Sequence, residues 1–228
     1  MRTLYIRSLP LVVLAALTVT PNLTAQSKPA APLTAPEVSQ LISRGDPADH
    51  ARLSAHFAAL AERQAADVKI HTTMQLAYAN SGKPIGLSMV NHCKAMVGRS
   101  QESAGSLREL SAYHSKLAGG ATIQSGLAVL APSSGRPSDA ELTRLAATAE
   151  TAADHRSLEA YFTSVATRDE REAADHAAYA KTWRGLTRVA GAPTQAASHD
   201  RVAEQLREAA KEARAAASMH KDHAATAK

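Results

Sequence analysis

Asp49-His50-Ala51-Arg52-Leu53-Ser54-Ala55-His56-Phe57 returns as Asp154-His155-Arg156-Ser157-Leu158-Glu159-Ala160-Tyr161-Phe162. The spacing of 105 residues also joins Ala61 to Ala166, Arg63 to Arg168 and His71 to His176. Farther along the register loosens, but His92 and His114 find counterparts in His199 and His220. Histidine is sparse, and a chance repeat does not keep it at four corresponding places. An ordered set of eight histidines is therefore the feature to explain, and it divides the chain into two like halves.

Each copy carries its core residues on one helical stripe. The first reads His50, Leu53, Phe57, Leu60, Gln64, Asp67, His71, Met74, Tyr78; the second reads His155, Leu158, Phe162, Val165, Asp169, Glu172, His176, Tyr179, Trp183. Steps of three and four place each set on a single helix face. Upstream, Glu37 to Leu41 recurs as Glu141 to Leu145. Gly45-Asp46-Pro47 is expected to break the helix of the first copy, whereas Glu150-Thr151-Ala152 in the second should run straight through. Turn chemistry follows at Ser81 to Gly86 and at Gly185 to Pro193. Two further helical stretches then begin at His92 and His199, the second rich in alanine from Glu208 to Ala217, which favours helix and close packing. Ser138 to Glu141 has the spacing of a capping box. The expected fold is all-α, an antiparallel four-helix bundle made of two duplicated helical hairpins, residues 37–118 and 138–225. A Gly-, Ser- and Pro-rich crossover linker at 119–137 joins them.

Residues 1–25 read as a signal peptide: Arg2 and Arg7 precede an apolar run from Leu9 to Val19, and Leu23-Thr24-Ala25 offers a cleavage site. No cysteine follows the run directly, which argues against a lipoprotein anchor. The run is shorter than the roughly 20 residues a membrane span needs. Residues 26–36 form a flexible lead-in. The expected product is secreted or periplasmic, without a stable membrane span after cleavage. Scattered charge of +5 with 4% aromatic residues does not indicate a nucleic-acid partner. Cys93 is the single cysteine, so no intrachain disulfide forms. Directly after His92, it reads as a small buried residue, a metal ligand or half of an intermolecular disulfide.

His50 and His71, His155 and His176, and His199 and His220 are each 21 residues apart, about 31 Å along a helix. An up-down-up-down chain would gather His71, His92, His176 and His199 at the end carrying both turns. His50, His114, His155 and His220 would form a second candidate layer at the other end. Asp67 stands one turn before His71, and Glu172 one turn before His176, which adds carboxylates to the first layer. In its chemistry this resembles the di-metal sites of ferritin-like bundles, although those use Glu-x-x-His and here a third residue intervenes. Such a layer suits zinc, iron, copper or manganese, and the added carboxylates favour iron, manganese or zinc over copper(I). Asp49 and Asp154 read as helix N-terminal charges or as hydrogen-bond acceptors for a histidine on an adjacent helix, and His56 and His223 as surface or packing residues.

The functional expectation is an exported bundle that binds transition metal through histidine-rich layers. Storage or sensing requires affinity alone; a redox role also requires an open coordination position. One alternative is a nonenzymatic interaction or chaperone-like protein of the cell envelope. Another is a noncovalent haem bundle, with Met74, Met89, Met96 and Met219 near the relevant ends. No phosphate loop, covalent haem motif or hydrolase triad is present.

Overall fold

The computed structural model describes residues 33–119 and 137–227. The signal-peptide reading, most of the lead-in and residues 120–136 of the linker lie outside the described residues. The described residues are all-α, with six helices and no strand. Four are long, α2 (Pro47–Asn80), α3 (Pro84–Leu117), α5 (Ala152–Gly185) and α6 (Ala192–Thr226). Two are short, α1 (Ala35–Arg44) and α4 (Asp139–Thr148). No helix of the described residues is long and apolar enough to cross a membrane.

Local chemistry sets the breaks. Thr34 and Glu37 close a capping box on α1, two residues earlier than the expected start. Gly45 then ends that helix at φ 70°, where a side chain would be strained, and Pro47 opens α2 at a position that needs no backbone donor. The expectation that the second copy runs straight through is corrected: α4 ends at Thr148 and α5 begins at Ala152. Thr151 accepts from the Asp154 amide at 3.1 Å while the Asp154 carboxylate accepts from the Thr151 amide at 3.2 Å. That reciprocal cap starts a new helix without glycine or proline. Lys83 donates to the Ala149 carbonyl at 2.7 Å and so satisfies one acceptor freed by the break.

All eighteen stripe positions are buried, the polar ones included. The directions of the helices follow from which residues meet. Phe57 of α2 packs against His176 of α5, and His71 of α2 against Phe162 of α5, so α2 and α5 run antiparallel. His92 meets Glu212 and Glu109 meets Arg201, so α3 and α6 do too. The α2/α3 and α5/α6 turns therefore lie at opposite ends, and the up-down-up-down course is corrected. Like charges explain the choice: a parallel α2/α5 pair would set Arg63 beside Arg168 and Asp67 beside Glu172, whereas the antiparallel pair crosses them into opposite-sign contacts.

Two apolar clusters result. One gathers Phe57, Leu53, Leu107, Leu110, Tyr179 and Trp183, with α1 contributing Val38, Leu41 and Ile42. The other gathers Phe162, Leu158, Met74, Tyr78, Met89 and Cys93, with α4 contributing Leu142, Leu145 and Ala146. Each short helix packs on the long helix of the other half, α1 on α5 and α4 on α2. The buried alanines of α6, such as Ala213 and Ala216, leave room for backbones to approach.

Candidate functional site

Antiparallel α2 and α5 regroup the histidines around the two phenylalanines. The Phe57 ring lies 5.5 Å from that of His114, 6.0 Å from His176 and 5.4 Å from His199. His50 reaches the same centre, its Nδ1 2.9 Å from Nδ1 of His114, and His176 meets His199 through the same atoms at 2.9 Å. At the other end Phe162 stacks on His220 at 5.8 Å and on His71 at 6.2 Å, and His155 meets His220 with Nδ1 atoms 3.0 Å apart. The expected foursome of His71, His92, His176 and His199 is thus divided. His176 and His199 belong to the Phe57 centre and His71 to the Phe162 centre. His92 pairs with Glu212 at 2.8 Å on a half-buried face between α3 and α6. The second expected layer divides likewise, His50 and His114 from His155 and His220.

Of the two readings of His56, surface or packing, the structure gives packing: it is buried beside Phe57, with ring centroids 5.2 Å apart. His223 packs its ring 5.3 Å from His155 at a half-buried position.

The matching of His92 with His199 fails on register. A spacing of 106 aligns the buried positions of α3 and α6 from end to end, Met89 with Gln195, Met96 with Val202, Leu107 with Ala213 and His114 with His220. On that register His199 corresponds to Cys93, which is fully buried, while His92 points one residue away. The alternating four- and three-residue steps of buried side chains, Met89, Cys93, Met96 and Ser100, are the signal that identifies Cys93.

Asp67 and Glu172 have their charges engaged elsewhere. Between the two centres runs a buried polar belt in which Arg168 Nη2 is 2.7 Å from Asp67 Oδ2 and 2.7 Å from Asp169 Oδ1. Arg63 forms an ion pair with Glu172. Three carboxylates thus share two guanidiniums, and burial pushes the Asp169 carboxyl up to about 7 against the pull of Arg168. Burial raises Glu172 as well. Gln64, three residues before Asp67 on the same buried stripe, has neither amide atom partnered.

Burial keeps the histidines neutral. It pushes His114, His199 and His220 down to about 3 and His56 to about 4, and His176 falls well below the usual imidazole range. A neutral ring in an Nδ1 pair donates or accepts there and leaves Nε2 for a second partner. At the Phe57 centre Nε2 of His56, His114, His176 and His199 are all buried without one, as is the indole N–H of Trp183. Each orphan costs about 1–3 kcal/mol, so a cluster of them marks a place where an additional ligand would be stabilising. At the Phe162 centre the Tyr78 hydroxyl meets Nε2 of His220 at 2.8 Å. Among the described residues, no three His, Cys, Asp or Glu side chains converge as a ready-made metal cage. What the fold supplies instead is pairs of neutral imidazoles in a dry aromatic setting. No family model, curated protein or solved structure matches this chain, so these centres are read on their own geometry.

Proposed function

We propose that this is an exported protein, secreted or periplasmic, that binds transition metal ions through paired buried histidines, with the Phe57 centre as the principal site. The observation that carries the reading is the crowd of unpartnered Nε2 atoms on His56, His114, His176 and His199 beside close Nδ1 pairs. The paired rings already stand within hydrogen-bond reach of one another at 2.9 Å, and neutral imidazole is the protonation state a metal requires. Storage, buffering or sensing are the roles that affinity alone serves.

The scaffold for these centres is, on this reading, an antiparallel four-helix bundle of two duplicated hairpins, α2/α3 and α5/α6, to which α1 and α4 are added. Reciprocal contacts favour the duplication: Arg63 with Glu172 repeats as Arg168 with Asp67, and His50 with His114 repeats as His155 with His220. Exchange of the short helices between halves accords with a two-fold relation between them.

The test is metal content of the untagged chain after supply of zinc, copper, iron and manganese and gel filtration. Wild type should retain metal and gain thermal stability that a chelator removes. His176→Ala with His199→Ala should lose both, and His92→Ala with His223→Ala should lose neither. Equal retention by the two double variants, or none in wild type, overturns the proposal.

A further inference from the structure

At the Phe162 centre the hydrogen bonds join end to end. The Tyr78 hydroxyl stands 2.8 Å from Nε2 of His220, and the far nitrogen of that ring, Nδ1, stands 3.0 Å from Nδ1 of His155. Side chains from α2, α6 and α5 therefore form one continuous chain. Exposure rises along it: His220 is 0% exposed, His155 is 5% exposed, and the His155 ring lies 5.3 Å from that of half-buried His223. Independently of where an ion binds, we propose that Tyr78 is a proton-coupled one-electron donor, with His220 and His155 as the relay that carries its phenolic proton toward the surface.

The polarity of the chain follows from acid-base chemistry. An imidazole lone pair is a stronger acceptor than a phenol oxygen, so the Tyr78 O–H donates to Nε2 of His220. Neutral His220 then carries its proton on Nδ1 and donates to Nδ1 of His155, which carries its own proton on Nε2. The electron goes to an outer-sphere one-electron oxidant, such as a ferric or ruthenium(III) complex. As it leaves, the O–H bond of Tyr78 breaks and an N–H bond forms at Nε2 of His220. The Nδ1–H bond of His220 breaks as one forms at Nδ1 of His155, and the Nε2 proton of His155 passes to water. One electron has reached the oxidant and one proton the solvent. The phenoxyl oxygen now accepts from His220, both rings are neutral, and every bond of the chain is reversed.

Two imidazoles matter because one alone would strand charge. Burial pushes His220 down to about 3, so a proton that stopped there would make a buried imidazolium. Burial also holds the Tyr78 phenol well above its usual range, which closes the route through phenolate. The other centre lacks the starting group: Trp183 occupies the place of Tyr78, and its indole N–H is without a partner.

The chelator-treated, untagged full-length chain is oxidised by photogenerated ruthenium(III) tris-bipyridine, and the radical is followed by electron paramagnetic resonance. Wild type should give a neutral tyrosyl radical that forms more slowly in heavy water and is lost in Tyr78→Phe. Cys93→Ala, which removes the thiol acting on this phenol, should keep it. His220→Leu should slow its formation by about a hundredfold. His155→Leu should shorten its life, because the proton held on His220 returns. Nitrogen-15 NMR of the unsubstituted chain needs no variant: His220 should be protonated on Nδ1 and His155 on Nε2. An undiminished radical in Tyr78→Phe, an unchanged rate in His220→Leu, an unchanged lifetime in His155→Leu, or a proton on Nε2 of His220 in wild type would overturn the proposal.

Discussion

Phe57 and Phe162 are 105 residues apart and occupy like places at opposite ends of the helices, but their neighbours are served differently. His220 at the Phe162 centre has Nδ1 on His155 and Nε2 on the Tyr78 hydroxyl, so both ring nitrogens are partnered. His114 at the Phe57 centre has Nδ1 on His50 and nothing on Nε2, because the residue matching Tyr78 is Trp183, 6.0 Å away by ring centroid. An indole can donate one hydrogen bond and accept none. Likewise the position of Tyr161 is taken by His56, and that of Cys93 by His199. One framework therefore supports a centre that satisfies itself and a centre that leaves several nitrogens in want of a ligand. The difference lies in a few side chains, Met74 against Tyr179 among them, rather than in the fold.

The largest effect expected is on the belt both centres share. Arg168→Ala leaves Asp67 and Asp169 buried without their cation and should cost about 3–5 kcal/mol in urea unfolding. Because the belt lies between the clusters, both ends should lose protection in hydrogen exchange; loss at one end alone would mean that they fold independently.

Acid comes next. In the metal-free protein the buried imidazoles are depressed in the fold and titrate near 6.5 when unfolded, so below 6.5 the unfolded chain binds more protons and stability falls with pH. The loss continues toward the folded values of about 3 to 4. Asp169, raised to about 7, acts in the opposite sense, its stabilisation fading as pH rises toward 7. The depressed histidines outnumber the raised Asp169, so the net effect is a loss of stability as pH drops below about 6. His56→Tyr, which copies the Phe162 centre, should shift acid unfolding to lower pH. An unchanged midpoint would show that His56 is not held neutral by burial.

A smaller effect tests the tyrosine-for-tryptophan difference itself. Tyr78→Phe should destabilise by about 1–3 kcal/mol through the stranded His220 nitrogen. Trp183→Tyr should cost less than an ordinary truncation of so large a side chain, since the new hydroxyl can serve His114, and it should weaken metal retention. Equal losses from the two variants would remove the distinction between the centres. The smallest effect belongs to His92→Ala, which gives up a half-buried pair with Glu212 worth about 1 kcal/mol or less.

The helical stripes were legible because three- and four-residue steps report a buried face whether its members are apolar or not; Gln64 and Asp169 are as buried as Leu53. The direction of the second half was harder to read. A linker of 19 residues can extend about 60 Å, farther than the roughly 50 Å length of a 34-residue helix, so it permits either course. The arginine that precedes each carboxylate by four residues carried the missing information, since only antiparallel helices turn those repeats into ion pairs. Cys93 was hidden by adjacency to His92, which resembles His199 in type but not in register. The break before α5 was hidden because Thr151 and Asp154 start a new helix by capping alone.

Imidazole nitrogen-15 NMR of the metal-free and metal-loaded full-length chain tests the central claim most directly, because it reports each ring separately. The nitrogen signals of His114, His176 and His199 should move on loading while those of His92 and His223 stay in place. Signals that move only at His92 and His223, or nowhere among the buried rings, would contradict it.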